Sequence, residues 1–246
     1  MATIRIGGEI VSDDDAWLYD WYGIENFHPS QMREALEALP EGEELDVEIN
    51  SVGGSVFAGF DIYSQLRGAA ALTRAKVTAL AASAASYIMT ACDEVQLSPV
   101  AQVMIHQPAT YTEGNISDHE HTTAVLRSLE ESILNAYELK AGRKTNRTRL
   151  RELMDAETWL TAQEAVELGL ADSILYGGNG LSAAYANGVA LHDPAELRAK
   201  YEAQTAAEAV CEADEEPAEA QGAPAEPESD WMLEALREIR QERDRG

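Results

Sequence analysis

The sequence predicts an α/β fold with a largely parallel β-sheet, followed by an acidic tail. Segments with strand patterns alternate with segments of helical apolar spacing, and this alternation is typical of crossover units that build a parallel sheet. The chain has 246 residues, of which 45% are hydrophobic, enough for one substantial domain and an appendage. The composition changes sharply after residue 200, which places a boundary there.

The predicted strands are short runs rich in apolar and β-branched residues. Period-two alternation is clearest in the second of them, LDVEI. The strands are predicted at Thr3–Val11, Leu45–Ile49, Lys76–Leu80, Glu94–Leu97 and Gln102–Ile105.

The predicted helices carry apolar residues at helical spacing. Ser30 is a suitable N-cap for a helix that ends before Pro40, and a long helix runs from about Ser117 to Ala141. The remaining helices are predicted at Ala58–Arg67, Ala84–Ala91, Arg147–Met154 and Ala162–Leu168.

The tail divides into two parts. Residues 201–230 hold ten acidic residues and no basic ones, and they are rich in Ala, Glu and Pro. Such a segment cannot bury enough surface to offset its chain entropy, so we expect a disordered linker. Residues 231–246 fit a short amphipathic helix, in which Met232, Leu236 and Ile239 share one face. This helix is either a fraying terminus or a docking peptide on a tether.

The charge and the cysteines exclude several classes of protein. A formal net charge of −26 repels nucleic acid and anionic membranes, so neither is an expected partner. Cys92 and Cys211 lie in unrelated contexts, which fits a reducing compartment such as the cytoplasm. The longest apolar run, Val77–Cys92, is too short and too polar for a membrane span, and the first residues do not look like a signal peptide.

The segment LAASAAS, residues 80–86, follows a predicted strand and opens a predicted helix. A serine at this turn has its hydroxyl at the carboxyl end of a strand, and the next N–H lies near the positive end of the helix. This arrangement suits a nucleophile with a built-in oxyanion donor, which makes Ser83 the candidate. Two alternatives stay open: Ser83 simply caps the helix, or Ser86, one turn further on, is the nucleophile.

His106 ends the apolar strand of the segment VMIHQP, where its ring can reach the end of a neighbouring strand. It is a candidate general base, although a lone histidine is more commonly structural. His119 and His121, with Asp118 and Glu120 beside them, point in different directions around a helix. We therefore predict no metal site.

Two further segments gain meaning only in combination. In INSVGGS, residues 49–55, paired glycines permit positive φ, and their N–H groups suit a developing anion, although an ordinary turn fits as well. The segment from Met154 to Asp172 places carboxylates just before Trp159, where one of them could orient an imidazole.

Together the four segments resemble the Clp protease proteolytic subunit, ClpP, and its phage-encoded relatives. The matching blocks occur in the family's order, and they are INSVGGSVFAGFDIYSQL, ALAASAASYIMTA, VMIHQP and ETWLTAQEAVELGLADSIL. The resemblance implies a crotonase/ClpP-like fold of repeated strand–strand–helix units with a long protruding helix. It makes residues 1–200 a ClpP-like peptidase domain.

The resemblance also implies the chemistry, that of a serine endopeptidase without metal or organic cofactor. It assigns the nucleophile to Ser83, the base to His106 and the acid to Glu157, where the family has Asp; Asp155 is the alternative acid. The oxyanion donors that it implies are the backbone N–H groups of Gly54 and Ala84.

A homo-oligomer of heptameric rings stacked into a tetradecamer is implied as well, with the long helix in the region that joins the rings. The sequences of these blocks resemble the phage branch of the family. This resemblance implies a prohead (head-maturation) protease that cleaves scaffold and capsid proteins, in the host cytoplasm or the assembling procapsid. The alternatives are a cellular ClpP that works with an ATPase, and a crotonase-fold non-peptidase or structural shell protein.

Overall fold

An eight-stranded sheet organises residues 2–176, the part of the chain that this computed structural model describes. The predicted linker at 201–230, the predicted final helix at 231–246 and the end of the predicted 1–200 domain lie outside the described residues. In chain order, the strands are β1 (Ala2–Ile10), β2 (Asn26–Phe27), β3 (Leu45–Gly54), β4 (Thr73–Ala82), β5 (Glu94–Leu97), β6 (Gln102–Ile105), β7 (Thr158–Thr161) and β8 (Ser173–Ile174).

The sheet is parallel apart from one pair of strands. The main path runs β2-β1-β3-β4-β5-β8, and β6 pairs with β4 on one side and with β7 on the other. Only the β6–β7 pair is antiparallel within the described residues. The predicted α/β class is therefore confirmed, and the carboxyl ends of β3, β4 and β6 lie at one edge of the sheet.

Seven helices connect these strands in the described part of the chain. They are α1 (Asp13–Trp21), α2 (Pro29–Glu37), α3 (Val56–Gly68), α4 (Ala84–Met89), α5 (Ile116–Ala141), α6 (Arg147–Asp155) and α7 (Ala162–Leu168). Every residue of α4 is buried, because this helix packs against α3 and against β3. The small side chains at its start allow that close packing.

Most predicted elements are present, and two differences have clear causes. Ser30 is not the cap of α2: the helix begins at Pro29, whose fixed φ suits the first helical position, and His28 is the N-cap. Ser30 instead donates its backbone N–H to Asp13 at 2.9 Å. Helix α1 was not predicted, because its sequence DDDAWLYDW buries only Ala16 and so lacks an apolar face.

Helix α5 has two distinct halves. Its buried residues begin at Ile133, and none of residues 116–132 is buried. Ile116 exposes 78% of its surface, which is a large apolar exposure for a helix start. The predicted long protruding helix is confirmed in this sense. Within residues 2–176, no helix combines the length and the apolar character needed to cross a bilayer.

Candidate active site

The turn between β4 and α4 holds Ser83 in an unusual backbone conformation. Ala82 ends β4 in register with Met104 of β6, and the Ser83 N–H donates to the Met104 carbonyl at 2.9 Å. Ser83 then has φ +52° and ψ −121°, in the region that favours glycine. A non-glycine residue in such a conformation costs about 1–3 kcal/mol and is a mark of functional sites.

The Ser83 side chain does not cap α4, although the residue occupies the N-cap position. Its Oγ lies instead 2.8 Å from Nε2 of His106, the hydrogen-bond distance that a nucleophile and its general base require. Both residues are partly exposed, so a substrate can reach them. The structure therefore unites the two residues that the sequence singled out separately.

The amide that follows Ser83 is available at this turn. Ala84 is the first residue of α4, so its N–H has no acceptor within the helix. No other acceptor for this N–H lies among the described residues. An oriented, unpaired N–H beside the Ser83 hydroxyl is what stabilisation of an oxyanion requires.

The glycine turn at the end of β3 lies directly against the nucleophile turn. Gly53 has φ +89°, and a Cβ there would lie 2.6 Å from the Ala82 carbonyl oxygen, 2.6 Å from Ser83 Cβ and 2.8 Å from Ala84 N. Gly54 has φ +150°, and a Cβ there would lie 2.1 Å from the Ile10 carbonyl oxygen. Glycine is therefore required at both positions, and the turn brings its backbone beside Ser83.

The antiparallel pairing of β6 with β7 places Glu157 opposite His106. Ile105 pairs with Thr158 at the end of the ladder, and an extension of this register by one residue would pair His106 with Glu157. Glu157 has φ +47°, another strained non-glycine conformation at the same edge of the sheet. The side chain is exposed and has no hydrogen-bond or ion-pair partner in residues 2–176.

Asp155, the alternative acid, is engaged elsewhere. Its Oδ1 accepts a hydrogen bond from Nε2 of Gln107 at 2.7 Å, which ties the end of α6 to the residue after His106. Neither Asp155 nor Glu157 hydrogen-bonds to His106 within the described residues. The structure thus brings the candidate nucleophile and the candidate base together, but neither candidate acid hydrogen-bonds to the base.

Ser86, the competing nucleophile, points into the core. It is fully buried, and its Oγ donates to the Ser83 carbonyl at 2.5 Å. The same Oγ lies 2.6 Å from the hydroxyl of Tyr137 on α5. With no solvent access and two short hydrogen bonds, Ser86 is unsuited to attack a substrate.

A small depression opens beside Ser83 and His106. Its other lining residues are mostly apolar, and they are Val56, Tyr87, Pro108, Ile133 and Tyr137. Within residues 2–176 no group of three or more His, Cys, Asp or Glu side chains is arranged to hold a metal ion.

Sequence reasoning missed the roles of two residues around the site, Gln107 and Tyr137 with its inward hydroxyl. Gln107 follows His106 directly, and that adjacency was the only local signal for it. Tyr137 was visible as one apolar position of a helix, but the pattern does not tell where a hydroxyl points.

A family model and several known proteins match most of the described part of the chain. The family model described as Clp protease matches residues 30–177. The ATP-dependent Clp protease proteolytic subunit of Bacteroides fragilis is 33% identical over 142 residues, covering 57% of this chain and 68% of the relative. Proteolytic subunit 1 of Salinibacter ruber is 30% identical over 159 residues, 63% of this chain and 67% of the relative. Subunit 1 of Chlamydia muridarum is 34% identical over 152 residues, 59% of this chain and 77% of the relative.

Proposed function

Since the chain belongs to the Clp protease family and is a serine peptidase, we propose that Ser83 is its nucleophile and His106 its general base. One observation carries this proposal: the 2.8 Å hydrogen bond between Ser83 Oγ and His106 Nε2 at two adjoining strand ends. Family membership also favours this proposal over a crotonase-fold non-peptidase or a structural shell protein.

The proposed mechanism combines this hydrogen bond with the oxyanion donors that the family resemblance implies. His106 Nε2 takes the hydroxyl proton as Ser83 Oγ forms a bond to the carbonyl carbon of the substrate peptide. The oxyanion then receives hydrogen bonds from the N–H groups of Gly54 and Ala84, each worth roughly 3–4 kcal/mol in comparable sites. His106 returns the proton to the leaving amine as the C–N bond breaks, and water hydrolyses the acyl-enzyme by the same route. This chemistry requires no cofactor.

The third member of the triad is proposed to be Glu157. Its position opposite His106 in the β6–β7 register supports this choice, as does its lack of a partner in the described residues. An acid that accepts the Nδ1–H would fix the tautomer in which Nε2 can take a proton. Asp155 is less suitable, because the Gln107 amide already occupies one of its oxygens.

We propose that the chain works as a homo-oligomer on protein substrates, in heptameric rings stacked into a tetradecamer. The exposed first half of α5 supports assembly, since burial of its apolar surface at Ile116 and Val125 against a second copy would stabilise the association. Sedimentation of the full chain tests this: a monomer at micromolar concentration would contradict it.

For the biological role, we propose head maturation, the cleavage of scaffold and capsid proteins in the host cytoplasm or procapsid. Two observations support this role. The sequences of the GGSVFAG and ETWLTAQEAV blocks resemble the phage branch, and Val52 stands in the glycine turn where cellular ClpP usually has proline. The named relatives are bacterial subunits of an ATP-dependent protease, so the alternative is a partner of an ATPase. Cleavage of capsid protein without ATPase or ATP favours head maturation; strict dependence on a co-purifying ATPase overturns it.

The peptidase assignment is tested by hydrolysis of an unfolded protein substrate by the full chain. Ser83→Ala and His106→Ala are each expected to lower kcat by at least about 10⁴-fold, because members of a triad act as a unit. Ser64→Ala removes an exposed serine on α3 and is the matched control, with unchanged activity expected. Full activity in Ser83→Ala would overturn the assignment.

A further inference from the structure

A buried chain of hydrogen bonds connects α5 to the backbone of Ser83. The Tyr137 hydroxyl lies 2.6 Å from Ser86 Oγ, and Ser86 Oγ lies 2.5 Å from the Ser83 carbonyl oxygen. The proposed mechanism uses neither Tyr137 nor Ser86. Both are nevertheless almost completely inaccessible to solvent, with exposures of 1% and 0%.

The direction of each hydrogen bond can be deduced. A carbonyl oxygen only accepts, so the single hydroxyl proton of Ser86 is committed to the Ser83 carbonyl. The Tyr137 hydroxyl must then donate to Ser86 Oγ. Burial raises the pKa of Tyr137, so that this phenol stays protonated and remains a donor throughout the pH range of peptidase assays.

This chain of hydrogen bonds ends at the backbone carbonyl of Ser83. Ser83 occupies a strained conformation, and such a conformation persists only where its surroundings over-determine it. Its N–H is held by Met104, and its carbonyl accepts from both the backbone N–H of Ser86 at 3.0 Å and Ser86 Oγ. Consecutive hydrogen bonds of this kind polarise and strengthen one another at low local dielectric.

Resting on the proposed function of Ser83, we infer that Tyr137 and Ser86 are positioning residues that hold the nucleophile's backbone so that Oγ stays within reach of His106. Neither residue touches the substrate's reacting atoms; they act through the Ser83 carbonyl. The buried end of α5 then also has a role in the site, because displacement of Tyr137 would remove the hydroxyl that donates to Ser86.

The test measures how fast a fluorophosphonate probe modifies Ser83 in the full chain, per folded molecule. Tyr137→Phe keeps the ring and removes only the outer donor, so a three- to tenfold slower reaction is expected. Ser86→Ala removes the bond to the Ser83 carbonyl and leaves the Tyr137 hydroxyl unpaired, so about tenfold or more is expected. In peptide hydrolysis both variants should lower kcat and leave KM unchanged.

The double variant adds a second criterion. Once Ser86 is Ala, the phenol has nothing to position, so Tyr137→Phe should cause no further loss in that background. Tyr63→Phe is the matched control, because Tyr63 is a partly buried tyrosine on α3 that makes no hydrogen bond among the described residues. Its labelling rate should equal that of the wild type.

The outcomes separate this inference from the proposed function. If wild-type Ser83 is labelled, and Tyr137→Phe and Ser86→Ala react at the wild-type rate with only a lower Tm, the two residues are merely structural and the inference is overturned. Strictly additive effects of the two substitutions also overturn it. If the probe never modifies Ser83 in the wild type, the proposed function fails and this inference fails with it.

Discussion

The two arms of the candidate site differ in how firmly they are held. The arm that carries the proposed nucleophile (the nucleophile arm), from Ala81 at the end of β4 through α4, is buried at every residue except Ser83, and hydrogen bonds hold the Ser83 backbone at both its N–H and its carbonyl. The acid arm, from α6 into β7, is exposed at Asp155, Ala156 and Glu157. Ser83 Oγ and His106 Nε2 are already 2.8 Å apart, whereas neither carboxylate of the acid arm hydrogen-bonds to His106 in residues 2–176.

The difference shows which part of the chemistry is built into the packing of the fold. Close packing leaves Ser83 one backbone conformation, and the neighbouring glycines have no room for a side chain. Glu157 lies just beyond the β6–β7 register in an exposed position, and its side chain makes no hydrogen bond among the described residues. We therefore expect substitutions in the nucleophile arm to damage both activity and stability, and those in the acid arm to damage activity alone.

Gly53→Ala should have the largest combined effect, because it is expected to lower both activity and stability. The new methyl would lie 2.6 Å from Ser83 Cβ at a position with φ +89°, so the turn must move away from the nucleophile. A displacement of about 1 Å at a reacting centre can cost about 10²-fold in rate, and the left-handed conformation adds about 1–2 kcal/mol of strain. Peptide hydrolysis and thermal unfolding measure the two effects.

Gly68→Ala is the control for that substitution. Gly68 ends α3, and a Cβ there meets nothing within 4 Å. Activity should be unchanged, and stability should rise by roughly 0.5–1 kcal/mol because alanine has less chain entropy to lose in a helix. If Gly53→Ala behaved like Gly68→Ala, the close approach of the two turns would be wrong.

Glu157→Gln tests the acid arm. If this carboxylate orients His106, its replacement by glutamine should lower kcat by about 10²–10⁴-fold. The Tm should stay within about 1 °C, because the side chain is exposed. Asp155→Asn keeps an amide oxygen that can still accept from Gln107 and removes only the negative charge, so less than about tenfold is expected. The reverse order of effects would assign the acid to Asp155.

Glu131→Gln should have the smallest effect, a slight loss of thermal stability, because it weakens the contact between α5 and α6, the helix with which the acid arm begins. Arg147 at the start of α6 donates to Glu131 of α5 at 2.5 Å, and this hydrogen bond is the main reason that the pKa of the carboxylate lies below its ordinary value. A lowered folded-state pKa stabilises the protein above the unfolded pKa of about 4.3, and that contribution is lost as the pH falls through the folded pKa.

The variant should therefore unfold at a slightly lower temperature than the wild type at pH 7, and the difference should shrink in acid and at high salt. Thermal melts at several pH values measure this. Glu120→Gln, on the exposed half of α5, is the control, because Glu120 has no ion pair among the described residues. A difference that grew in acid would contradict the sign.

The sequence predicted the fold class and the Ser83–His106 pair because their signals are local. Small residues after a buried strand and a histidine at a strand end are visible in short windows, and β5, β6 and α7 have the predicted bounds. The short strand β7 was missed, and with it the register that puts Glu157 opposite His106. That register depends on pairing between segments some fifty residues apart, and α1 was missed because its burial is slight.

The most direct test of the account is mass spectrometry of the full chain after treatment with a fluorophosphonate, with the modified peptide sequenced. We expect a single adduct on Ser83, strongly reduced in His106→Ala because the proposed base that activates the hydroxyl is absent. An adduct on Ser86, or labelling that persists in Ser83→Ala, would contradict it.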